Sequence, residues 1–283
     1  MSFFEVDFHG FALGYNGSHM RKDPQNLASR IRALLDRLVA SRNLTTDEQE
    51  EVCDEVMAEA RTLPREGILE ALDKAIGSSK KRRQDAVIIL SELTDVAEVV
   101  DRIGEWIRDP DASVRAWLIQ TVDQKRLKQF APFLNGIIEN DPDEFCRDVA
   151  IHAAGTLKAE ENLPTLLQLA ARDEPELTWR LAWALKDYAT EDCRPYLTKW
   201  FKTEESKSTR VIAAWGLGKL GDKSAIAYLS RMLDDPDLRG PTFSRPGQSI
   251  RAAQALCDIF GWPFEWHKSY VAKTAARARS ELS

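Results

Sequence analysis

The chain has no apolar run near the roughly 20 residues that cross a bilayer, which excludes a helical membrane anchor within it. It has few cysteines, and Cys53, Cys146, Cys193 and Cys257 form no Cys-x-x-Cys pair and have no histidine at metal-ligand spacing. That pattern excludes a disulfide framework and a zinc site, and reads as reduced thiols of a cytoplasmic protein. There is no Walker loop, no His-Glu-x-x-His and no Gly-x-Ser-x-Gly, so phosphate-loop, zincin and serine-hydrolase chemistries have no carrier. Histidines are scarce: His9, His19, His152 and His267 stand isolated, and no metal or cofactor site is expected. Basic excess is also missing, since 39 Lys and Arg face 45 Asp and Glu for a net charge of −6. A surface built wholly for nucleic acid is therefore excluded.

What is present is helix. Of the 283 residues, 43% are apolar and 30% charged, and from Arg21 onward apolar residues recur at helical spacing with breaks at Asp-Pro, Gly and acidic clusters. The expected class is all-α. Asp23-Pro24 supplies an N-cap followed by proline, and Thr45 with Glu48 has capping-box spacing, which bounds helices near 24–42 and 46–62. Residues 1–20 stand apart. Gly17-Ser18-His19-Met20 reads as the scar between a cleavable tag and a start codon, with a native terminus as the alternative. Before it, Phe4, Val6 and Phe8 alternate with Glu5 and Asp7, followed by Phe11, Leu13 and Tyr15, unlike a common purification tag. Residues 1–16 are thus a tag, a native segment or a fused ligand peptide, the last raised in effective concentration by its tether.

Self-similarity fills the remainder. Arg83, Arg115, Arg147, Arg180, Arg210 and Arg251 recur inside apolar helices at steps of 32, 32, 33, 30 and 41 residues. A period near 32 is two short helices and two turns. Six residues before four of these arginines stand Asp109, Asp141, Glu174 and Glu204; each is expected to cap the following helix and to pair with its own arginine. Asp109-Pro110-Asp111-Ala112-Ser113-Val114-Arg115 and the run Thr209 to Gly221 resemble HEAT repeats of the short bacterial, phycobilisome-lyase type. The resemblance implies a right-handed α-solenoid of antiparallel helix pairs whose second helices line a concave face, and it implies no single activity. The expected layout is an N-terminal pair over 21–62, repeats over 63–262 and a capping helix over 263–283. Gly155, Gly218 and Gly221 are expected to end helices in left-handed caps. The run Gly216 to Gly221 also fits the dinucleotide fingerprint, but at the end of a helix rather than between strand and helix, so that reading is rejected.

In the repeat frame, positions one, two and five after each arginine face the groove. This places Trp117, Gln120, Asp148, His152 and Trp215 there, and Trp183 joins by whole-repeat spacing. The competing role for these tryptophans is filling space between helices. The long last step holds an insertion, Leu238 to Gly247, whose Arg239, Phe243 and Arg245 suit a contact loop, with simple drift as the alternative. Lys80 to Arg83 is the densest basic run, readable as a solvated helix start.

The expectation is a non-catalytic scaffold or adaptor that grips a protein or peptide partner, with no catalytic residue, no cofactor, no membrane and no nucleic acid. The run Trp183 to Ala189, and Arg147 followed by Ala150-Ile151, resemble the cleft of the HEAT-like alkylpurine DNA glycosylases, so the alternative is a DNA-binding protein of that kind with Asp148 as the nearest candidate acid, although no Trp-Trp-x-x-x-Asp segment is present and Thr121 stands four residues after Trp117. A chromophore-lyase-like chaperone is a third possibility, carried only by the repeat type. No His-Glu dipeptide occurs, which removes the paired ligands of the HEAT-repeat hydroxylases.

Overall fold

A computed structural model describes residues 24–234, 247–264 and 268–281, and every regular element among them is a helix. Helices α1 (Pro24–Ser41) and α2 (Thr46–Arg61) open the chain. The capping box forms as expected: the Thr45 hydroxyl accepts from the Glu48 amide, and the Glu48 carboxylate accepts from the Thr45 amide at 2.8 Å. Short helices then follow in pairs: α3 (Ile68–Ile76) with α4 (Lys80–Ser91), α5 (Ala97–Trp106) with α6 (Ala112–Gln124), and α7 (Ala131–Asn140) with α8 (Glu144–Leu157). The series continues with α9 (Leu163–Ala171) and α10 (Pro175–Tyr188), α11 (Arg194–Thr203) and α12 (Lys207–Lys219), and α13 (Lys223–Met232) and α14 (Gln248–Phe260). Helix α15 (Lys268–Glu281) packs on α14. The described residues are all-α, a succession of short helices arranged in pairs.

The chain divides into two compact units at Ala153 and Ala154, inside α8. In the unit that begins at Ala154, α10 packs on α12 and α12 on α14, whereas α11 and α13 make no comparable contact. The second helices therefore form the closer-packed, inner layer of that unit. Its core is the seam between layers, with Leu181, Leu185, Leu197, Ile212 and Leu256 sealed from solvent. A stripe of that width cannot be left wet on a lone pair, so each pair is stable only against its neighbours.

The repeating arginine works differently from the expectation. In the unit that ends at Ala153, Arg115 donates to the Asp109 backbone carbonyl at 2.7 Å, not to its carboxylate. Its remaining donors clasp Asp141 of the next repeat, Nε to Oδ2 at 2.8 Å and Nη2 to Oδ1 at 2.6 Å. Arg83 pairs with Asp109 in the same sense, and Arg147 donates to the Asp141 carbonyl at 2.7 Å. The physical reason is direction. A side chain in the first turns of a helix leans toward the N-terminus, over its own turn, and the next repeat's turn lies beside that point. Each Asp-Pro-Asp thus has two duties: Asp109 holds the Asp111 amide at 2.8 Å, and Asp111 caps α6 through the Ser113 amide at 2.9 Å. Glu174 makes no side-chain cap, and α12 is capped by Ser206 rather than Glu204.

Two of the glycines also need correction. Gly221 has φ +81, the left-handed conformation expected of a cap. Gly155 and Gly218 lie within α8 and α12 instead. A Cβ on Gly155 would stand 2.6 Å from the Ala184 Cα, so this glycine exists to let α8 and α10 approach. Gly216, Gly218 and Gly221 follow one another at the end of α12 with no strand before them, the context that rules out a dinucleotide loop.

Candidate functional site

The residues expected in the groove are distributed over both units. In the unit that ends at Ala153, Trp117 on α6 is 38% exposed, a large apolar ring left in water on a second helix. Gln120 is half-buried one turn further along, and Asp148 on α8 is half-buried and partnered. His152 is exposed, with Nε2 3.5 Å from Asp123 Oδ2. Phe145, which the arginine frame did not select, is 42% exposed at the start of α8.

In the unit that begins at Ala154, an aromatic cluster runs across α10 and α12. Trp179 meets Trp183 edge-on at 6.1 Å, and Trp183 meets Trp215 edge-on at 5.8 Å. Between the last two rings lies Lys186, its Nζ 4.3 Å from the Trp183 centroid and 4.1 Å from that of Trp215. The ammonium also pairs with Asp187 at 2.8 Å. Burial pulls the Lys186 amine below the usual lysine range, and the Asp187 carboxylate opposes that pull. Cation–π attraction to two ring faces favours the charged form.

Trp215 requires a correction. Expected at the open surface of the groove, it is only 4% exposed, because its Nε1 donates to Asp258 Oδ2 at 2.7 Å and Lys186 covers one ring. It still contributes wall to a pocket of about 330 Å³ where α10, α12 and α14 end. Trp262 and Phe264 supply the rest of the apolar lining, with Lys158, Lys219 and Asp258 around it. The Lys219 ammonium stands 3.5 Å from Asp258 Oδ2. Lysines at helix C-termini are favoured there by the carbonyl ends, which explains part of their placement. Trp183 is half-buried, and its Nε1 has no partner among the described residues.

Sequence reasoning noticed Lys186 and Asp187 only within the run Trp183 to Ala189 and did not place them beside the tryptophans, and it missed Asp258. The signal was present for the first two, because Lys186 and Asp187 follow Trp183 by three and four residues, one turn along the same helical face. Asp258 comes from a different repeat and had no local marker. A larger hollow of about 450 Å³ borders Leu163, Pro164 and Tyr188, but the Tyr188 hydroxyl is already committed to the Ala159 carbonyl at 2.7 Å. Residues 1–20, the loop residues Arg239, Phe243 and Arg245, and His267 lie outside the described residues.

Among the described residues, no group of three or more His, Cys, Asp or Glu side chains could hold a metal ion. Burial pushes the Cys53 thiol up to about 11 and that of Cys146 to about 12, so neither is a ready nucleophile. No helix of the described residues is long and apolar enough to cross a membrane. Residues 163–240 match the family model for HEAT repeats, which covers α9 to α13 of the described helices. Repeats of this kind generally act as protein-interaction scaffolds. No curated protein matches the chain.

Proposed function

We propose, from the premise that this chain carries HEAT repeats, that it is a non-catalytic scaffold or adaptor, cytoplasmic, that grips a protein or peptide partner on its second-helix faces. The repeats extend in this reading from 63 to 262, after the helix pair of 21–62 and before a capping helix over 263–283. The observation that carries the proposal is Trp117: an indole 38% exposed on a second helix. Exposed tryptophan supplies flat apolar area at low entropic cost and is enriched among residues that dominate interfaces. The pairing of charges supports the absence of catalysis. Lys186 is bound to Asp187, Lys219 lies beside Asp258, and Arg115 is clasped by Asp141, so these ions balance one another.

The test is capture from an extract of the source cells on immobilised protein, comparing the natural chain with Trp117→Ala. The variant is expected to keep its far-UV circular dichroism and to lose the proteins that the natural chain retains. Undiminished capture by a folded Trp117→Ala variant overturns the reading.

A further inference from the structure

We infer that the hollow between the turns Glu160–Asn162 and Glu191–Cys193 takes an arginine side chain from a partner protein. The inference rests on the scaffold reading and adds a contact to it, in the unit that does not hold Trp117. The floor of the hollow is apolar: Leu163, Pro164 and Leu167 from the start of α9, and the Tyr188 ring from the end of α10. Its volume of about 450 Å³ falls within the range of small-ligand sites and is too small for a folded domain. The Tyr188 hydroxyl donates to the Ala159 carbonyl at 2.7 Å and faces that of Ala154 at 3.1 Å, which fixes the ring. Burial raises the Tyr188 phenol above its usual range, with Cys193 and Glu161 adding to the rise. The ring therefore stays neutral and offers a guest surface alone.

The rim decides the charge of the guest. Glu160 and Asp192, one from each turn, are exposed and form no ion pair with a described residue. Their neighbour Glu191 is by contrast held by Arg194 at 2.6 Å. Lys158 is the one base on the lining; it is exposed and pairs with neither acid, so two carboxylates stand against one ammonium. An apolar guest would strip water from those carboxylates without replacing it, and an anion would be repelled. A cation on an aliphatic stem meets both demands. Arginine fits better than lysine, because its planar head offers donors to carboxylates on two turns while its flat face lies against the Tyr188 ring. Since Glu160, Pro164 and Asp192 are exposed, the side chain can enter from a partner whose backbone stays outside.

The experiment is a methyl and amide NMR titration of the full chain with acetyl-arginine amide, and with acetyl-citrulline amide as its uncharged counterpart. The arginine compound is expected to shift the Leu163 and Leu167 methyls and the Thr190 amide, all at the hollow. The citrulline compound is expected to bind about ten-fold more weakly. Glu160→Gln with Asp192→Asn is expected to weaken the arginine compound to a similar degree and to leave the rest of the spectrum in place, since both sites are exposed. No shift with the arginine compound, equal binding of the citrulline compound, shifts confined to other residues, or an affinity that the two substitutions leave unchanged each overturns the inference. The two proposals fail separately. A titration without shifts beside lost capture by Trp117→Ala keeps the scaffold and removes this site. A titration that behaves as expected beside undiminished capture by Trp117→Ala keeps the site and removes the scaffold.

Discussion

Trp117 and Trp215, two and five residues after their repeat arginines, are both expected on the groove face, yet their surroundings assign them opposite energetic roles. Trp117 is 38% exposed and Trp215 is 4% exposed. Trp117→Ala is expected to change stability by less than about 1 kcal/mol, and Trp215→Ala to cost about 3–5 kcal/mol, both read from urea unfolding. Equal losses at the two positions would mean that Trp117 is core. Lys186 gives a second prediction with a definite sign. Its amine is held below the ordinary lysine value by burial, so the native chain binds fewer protons than the unfolded one between the two values. Stability from this group is lost as pH falls through the depressed value and is fully present above the unfolded value of about 10.4. Relative to Lys186→Met, the natural chain is therefore expected to gain stability between pH 7 and pH 10 in paired urea titrations; no difference in slope would contradict the burial.

Among the elements, the Asp-Pro-Asp turn and the close helix crossing are the parts most exposed to single changes. Asp141 is 8% exposed and receives both arms of Arg115, so Asp141→Ala leaves a buried guanidinium uncompensated. The expected loss is about 3–5 kcal/mol by denaturant unfolding, with Asp141→Asn costing less because it still accepts from the Asp143 amide. Gly155→Ala places a Cβ against the Ala184 backbone, which cannot swing away like a side-chain end; a loss of about 1–3 kcal/mol is expected. These elements also show what is readable in a sequence. Helix starts at Pro24 and Thr46 are legible because capping is local chemistry. The 32-residue recurrence of arginine is legible as period, but its partner is not. The acid six residues before Arg115 supplies a carbonyl, whereas the carboxylate comes from the next repeat. Gly155 likewise looks like a helix end in one dimension and is a crossing point in three.

For the molecule as a whole, the same limit governs the candidate site. The helical period puts Trp117 on an open face of α6, and the ring is exposed there. It misplaced Trp215, because the cover over that ring comes from Lys186 on α10 and Asp258 on α14. The overall charge of −6 and the internal neutralisation of Lys186 and Lys219 leave little to drive binding to phosphates. No detectable affinity for duplex DNA at about 50 mM salt is expected in a polarisation titration. Salt-sensitive binding there would instead favour the glycosylase-like alternative.

The reach of Arg115 to Asp141 has one more outcome. Since the clasp joins positions 26 apart and recurs between Arg83 and Asp109, a deletion of one or two residues inside that interval dislocates guanidinium from carboxylate at that join. Lengthening or shortening of this stretch during descent is then tolerated only by whole modules, as links are added to or taken from a chain.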